Sequence, residues 1–249
     1  VFGGDIAMRI LLFLLLLFPI AAKAQPLVTD LSERELSITA GFSGGGLVLF
    51  GATQDPDAEL IIKVQGPMGT EIVRRKEPVL GLWLNRGRMV FDNIPGYYDI
   101  SASAPLNQIM EAQDLRQNGF GLDSLSFTAR NLANAGEQRR YSEALIQYKQ
   151  VSGLFALNTH TITRISPNLF RTQIWLPANV PIGNYQVTTY LVKEGIIVDT
   201  DQQAFTVQQG GVSGFVTEAA QDYAFFYGLF AVLLAMLAGW LSNEMFRRE

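Results

Sequence analysis

The chain has 249 residues, a formal net charge of −4, no cysteine and one histidine, His160. So mild a negative charge argues against bulk attraction to nucleic acid. The lack of cysteine excludes disulfides, thiol catalysis, thiolate metal sites and c-type haem attachment, and one imidazole is too few for a structural zinc site. A carboxylate site for calcium or magnesium stays open, although no D-x-[DN]-x-[DN]-G loop occurs, and no motif calls for a cofactor.

In chain order, the first segment reads as an export signal. Met8 is taken as the start and residues 1–7 as upstream sequence. Arg9 supplies the positive end, Ile10 to Ile20 the apolar stretch, and Ala22-Lys23-Ala24 an A-x-A cleavage site. The apolar stretch is short for a crossing, so cleavage before Gln25 is expected, with an uncleaved signal anchor as the alternative.

Residues 25–105 predict an N-terminal β lobe. Leu36 to Thr39 alternates, and Leu47 to Phe50 is a continuous apolar run. ELIIKV (59–64) and TEIVRR (70–75) follow. Leu82 to Leu84 and Met89 to Phe91 flank Asn85-Arg86-Gly87-Arg88, which reads as a hairpin loop. YYDISAS (97–103) alternates again.

Residues 106–152 change period and predict a helical insertion. Leu106, Ile109 and Met110 share one face, with Gly119 as a helix cap. Tyr141, Leu145 and Tyr148 define the face of a second helix closed by Gly153. Residues 153–212 predict a C-terminal β lobe. Its strands are FRTQIWL (170–176), NYQVTTYLV (184–192), Ile196 to Val198 and Ala204 to Val207, with a turn at Gly195. In the second of these, Tyr185, Val187, Thr189 and Leu191 share a face. The Pro-rich entry Pro177 to Gly183 is common in immunoglobulin-like sandwiches and hints at that fold.

Residues 213–249 predict a linker, a single transmembrane helix and a short cytoplasmic tail, with Gly210, Gly211 and Gly214 loosening the approach. Tyr223 to Asn243 carries no charge, a helix of about 30 Å. Tyr223, Tyr227 and Trp240 lie near its ends, where aromatic rings favour the interface. Arg247 and Arg248 follow, which places the C-terminus in the cytoplasm and the β body in the periplasm of a bacterial inner membrane. A buried core helix is the alternative. A lone span without an ionisable residue offers no ion path of its own. The stripe Ala231, Ala235, Gly239 allows close approach of another helix, although small residues are common in spanning helices generally. The expected fold is therefore mainly β: immunoglobulin-like sandwich lobes with a helical insertion, then one C-terminal transmembrane helix.

Two motifs bear on chemistry. Gly41-Phe42-Ser43-Gly44-Gly45 matches the G-x-S-x-G of serine hydrolases. That elbow needs a strand, a strained turn and then a helix. Here three glycines and the β-prone LVLF follow the serine, so the segment is read as a strand connection whose glycines permit positive φ. No catalytic residue is expected. The second is a basic cluster: Arg74, Arg75, Lys76, Trp83, Arg86 and Arg88. Strand pairing would gather these into a patch for an anion, a lipid headgroup or an acidic partner. The plainer reading is a solvated strand edge, with Glu71 and Glu77 partly neutralising the group.

The segments GFSGGGLVLFGAT, RRKEPVLGLWLNR, GYYDISAS, GFGLDSLSF, LPANVPIGNYQVTTYLVKEG and LFAVLLAMLAGWL carry a resemblance. With them the chain resembles a family of alphaproteobacterial transmembrane proteins of unknown function, an exported β-rich domain with one C-terminal membrane helix. The resemblance implies a neighbouring sulfite-exporter-like permease as membrane partner, and no catalytic residues. The expected function is that of a membrane-anchored periplasmic accessory or assembly protein acting by protein contact. A periplasmic module binding an anion or small ligand is the alternative, with a serine hydrolase third. The expected partners are the lipid bilayer and an integral membrane protein, and not nucleic acid.

Overall fold

The computed structural model describes residues 26–39, 41–79, 82–125, 127–130, 134–210 and 224–246. The expected signal peptide, the glycine-rich linker beyond Gly210, and Arg247 and Arg248 lie outside the described residues.

Two sheets face each other. The first has the order β1 (Leu27–Leu31), β3 (Gly44–Thr53), β10 (Leu169–Pro177), β9 (Thr163–Arg164). The second has the order β2 (Glu35–Ile38), β12 (Ile196–Gln209), β11 (Gly183–Lys193), β4 (Glu59–Gln65), β7 (Tyr98–Ala102), β8 (His160–Thr161). Alternation decides which face each strand buries. In β10, Phe170, Thr172, Ile174 and Leu176 point inward while Arg171, Gln173 and Trp175 point out. The main core between the sheets draws Leu47 and Leu49 from β3, Ile174 from β10, Val64 from β4, Tyr185 and Val187 from β11, and Phe205 from β12. The expected shared face of β11 is seen, with Tyr185, Val187, Thr189 and Leu191 all buried. The Tyr185 hydroxyl donates to the Pro181 carbonyl at 2.6 Å, pinning the Pro-rich entry in the way tyrosine corners do.

The sequence left open whether the two β segments build one sandwich or two. β3, before the helical stretch, pairs with β10 after it, and β4 pairs with β11. Both segments therefore share the same two sheets. β4 is covered on both faces: Leu60, Ile61 and Ile62 are all buried, as a continuous apolar run demands.

The far face of the second sheet is sealed by a second core. It joins Ile61, Tyr98 and Ile100 of the sheet to Met89, Phe91 and Ile94 of a separate hairpin and to the helical stretch. That stretch comprises α1 (Leu106–Ile109), α2 (Ala112–Asn118), a single turn at Leu122–Ser124, and α3 (Ala135–Val151). The expected helix over 106–118 is broken at Met110, whose backbone is extended, and Ile109 and Met110 both enter the second core. Gly119 caps α2 in the left-handed region as expected. Asn134 starts α3 by accepting from the Glu137 amide. Its buried face is Tyr141, Leu145 and Lys149. Tyr148, expected on that face, is 65% exposed, because the strict i+4 spacing continues to residue 149.

The hairpin is β5 (Met68–Val79) with β6 (Leu82–Pro95). The loop expected at Asn85 to Arg88 is not there: β6 runs straight through it. Arg74 pairs with Arg88 and Arg75 with Arg86, which leaves Gly87 as an extra residue at φ 76°. The turn-like composition encodes a bulge, not a reversal. Likewise 196–198 and 204–207, read as separate strands, are parts of one, β12. The link from β11 to β12 is Glu194-Gly195, both at positive φ, a two-residue turn of the type that matches strand twist.

Candidate functional site

The residues of the basic cluster lie on the two strands of the hairpin. The register sets Arg74 opposite Arg88 and Arg75 opposite Arg86, with Lys76 opposite Asn85. Arg74, Arg75, Lys76 and Arg88 are exposed. Trp83 stands opposite Pro78, nearer the tip. Glu71, expected to neutralise the patch, is bonded instead to the Lys149 ammonium at 2.5 Å. Asp92 is held by Arg130 and by the Thr70 hydroxyl.

The Lys149 pair ties the hairpin to α3. Lys149 is only 5% exposed, and Glu71 is the carboxylate that offsets the burial of its ammonium.

The stripe Ala231, Ala235 and Gly239 lies on α4 (Ala224–Phe246). All three residues are exposed, and so are Leu233 and Leu237 on the other side. A Cβ added at Gly239 would meet nothing within 4 Å. The described side chains here are mainly those from Gly228 to Asn243, and among the described residues no helix is long and apolar enough to cross a membrane.

Ser43 is exposed and precedes a strand, not a helix. The glycines after it do something other than turn the chain. Only Gly44 has a positive φ, 117°. Gly45 faces inward under the Phe42 ring, which packs on the main core. Gly44 and Gly46 lie beneath the indole of Trp175: a Cβ on either would stand 3.2 or 3.4 Å from a ring carbon. The motif is a bed for an aromatic side chain, and the expectation of a simple tight connection is corrected to that extent.

Beside Trp175 lies a cleft of about 530 Å³, lined also by His160, Thr163, Arg171 and Gln173. Behind His160 sits Asp99, 1% exposed, its Oδ1 at 3.5 Å from Nε2. That oxygen has no hydrogen-bond partner. Burial raises the Asp99 pKa above the ordinary carboxylate value, and His160 partly opposes this. His160 was singled out in the sequence. Asp99 was not, because its partner is delivered by β8, a two-residue strand laid parallel on β7 with Ser101 opposite His160. A larger cleft of about 720 Å³ lies beside α3, with Arg116, Asp123, Arg139 and Glu143 on its walls. Its mixed charges converge on no single chemistry. Among the described residues no group of His, Asp and Glu could hold a metal ion.

A mainly β body of two facing sheets, with a helical insertion and a C-terminal helix, is the class of protein these features define. The chain belongs to the family described as "Putative transmembrane protein (Alph_Pro_TM)", whose model matches residues 26–248. The comparison with curated proteins gave no match.

Proposed function

We propose that this chain is a membrane-anchored accessory protein of the bacterial inner membrane, whose β body acts in the periplasm by protein contact and not by catalysis. The observation that carries this reading is a division of labour. The β body closes two cores on itself, while every described side chain of α4 is exposed. A helix apolar on all faces is unfavourable in water and favourable in lipid. At 23 residues it is about 35 Å long, and no charged residue occurs from Tyr223 to Asn243. The family description supports the same reading. The export signal and Arg247-Arg248 support a periplasmic body and a cytoplasmic tail. The partner is an integral membrane protein, with the sulfite-exporter-like permease implied by the family resemblance as first candidate. The setting of Ser43 before a strand argues against a nucleophile.

Mild-detergent purification from native membranes, preceded by an alkaline carbonate wash, tests both halves. The chain is expected to resist the wash and to recover an integral membrane protein. Release by carbonate would remove the anchor, and recovery of the chain alone would remove the accessory role.

A second reading, an anion or headgroup site, is favoured by the arginine pairs across β5 and β6. It predicts that vesicles rich in anionic lipid retain the protein and that Arg74→Glu with Arg88→Glu weakens retention.

A further inference from the structure

The outward face of the first sheet carries a surface that neither the anchor nor the hairpin uses. Along β10, Trp175, Gln173 and Arg171 form an outward row of alternate residues. Strand geometry spaces them about 6.7 Å apart, about 13 Å from end to end. Opposite the indole the neighbouring strand presents no side chain: Gly46 is the register partner of Trp175, and Gly44 that of Pro177. A Cβ on Gly46 would also meet the Gln173 amide nitrogen at 2.6 Å. Indole and amide therefore rest on bare backbone, and the indole is still 55% exposed.

So large an aromatic surface held ready in water favours a ligand with an apolar face. The rest of the cleft narrows the class. Its polar groups are an amide, a guanidinium, an imidazole and threonine hydroxyls, and no carboxylate lines it. These donate to or accept from hydroxyl groups in fixed directions. One guanidinium is too little charge for a nucleic-acid backbone. A lipid chain would leave the polar groups unmatched. A pyranose ring has a C–H face for the indole and a rim of hydroxyls for the rest.

We propose that this face is a saccharide-binding platform, with one sugar ring stacked on Trp175 and the following units running along Gln173 toward Arg171. The buried Asp99 supplies an independent reason. Its unmatched Oδ1 faces Nε2 of His160, at the rim of the cleft. The His160 side chain is half-exposed at that rim, and its ring nitrogens are in reach of a ligand hydroxyl. The length of the row selects an oligosaccharide over a single sugar.

The test uses the full chain in lipid nanodiscs, because sugar-headed detergents would compete. Trp83→Phe and Trp240→Phe leave Trp175 as the sole tryptophan of the three. Cellohexaose, chitohexaose, maltohexaose and hexagalacturonate are titrated while indole emission is followed. At least one is expected to quench and blue-shift the emission, with Kd between about 10 μM and 1 mM. Gln173→Ala and Arg171→Ala should each weaken that sugar about tenfold. By calorimetry on the otherwise natural chain, Trp175→Ala should abolish binding with an unchanged thermal midpoint, since the ring is largely exposed. If none of the four sugars moves the emission, or if Trp175→Ala binds as tightly as the parent, the platform is not a saccharide site.

Discussion

A buried carboxylate with an unmatched oxygen works against the fold that holds it. Burial is the largest influence on Asp99 and raises its pKa above the ordinary value of 3.8; His160, the Ile100 amide and the Tyr97 hydroxyl pull the other way. Because the folded pKa lies above the unfolded one, the favourable contribution is fully present below the unfolded value. It is lost as pH rises through the folded value. Asp99→Asn removes the charge and should raise the melting temperature at about pH 7, by about 2–4 °C for each kcal/mol recovered. At about pH 3.5 the shift should largely vanish. Calorimetry at both pH values decides, and an equal shift at each would show that ionisation is not the cause. At this scale the sequence was half legible. One histidine in 249 residues marks itself. The carboxylate beside it depends on strand register, which no local pattern records. The three glycines after Ser43 were conspicuous, yet their purpose lay with a tryptophan 129 positions beyond Gly46, brought opposite by β10.

Among the elements, the hairpin is the one most open to measurement. Lys149 reaches it from α3, and Glu71 answers. Glu71→Ala should cost about 3–5 kcal/mol by leaving a buried ammonium unpaired, whereas Lys149→Met should cost much less. Urea titration of the two variants checks the order, and equal losses would mean that packing, not charge, sets the cost. Gly87→Val should destabilise as well. Its φ of 76° disfavours a branched residue, and a Cβ there would collide with the Tyr141 hydroxyl. The same hairpin shows where reading by composition stops. Asn-Arg-Gly-Arg is as apt for a bulge as for a loop, and only the partner strand distinguishes them. Strict alternation left no such freedom in β10, and its buried and exposed residues fall where the pattern puts them. On α3 the first two face residues were legible. The third was misplaced because a tyrosine looks more buried than a lysine until the lysine's partner is known.

For the whole molecule, the proposed anchor makes a sharp demand on α4. Ala235→Leu with Gly239→Leu raises apolarity and should leave membrane retention intact, yet should abolish recovery of a partner if helices meet at the small-residue stripe. Quantitative pull-down of parent and double variant is the measurement, and unchanged recovery would move the contact to the β body. The mainly β character and the helical interruption were readable from periodicity. That the strands on either side of the interruption share two sheets was not, since pairing between β4 and β11 joins residues more than a hundred positions apart.

That interleaving constrains how the protein is made. A nascent chain that has emerged only as far as α3 holds β3 and β4 without the neighbours that later flank them, each with an open edge able to recruit another chain. The Thr29 amide and hydroxyl donate to the Asp201 carboxylate and the Gln203 amide donates to the Thr29 carbonyl, so these ties of the first strand form late. Folding is therefore of high contact order and waits on nearly the last residues of the β body. β12 ends at Gln209 and α4 begins at Ala224, so closure of the sandwich and delivery of the helix fall almost together during synthesis. A chain stopped before β10 should aggregate rather than persist as a smaller domain.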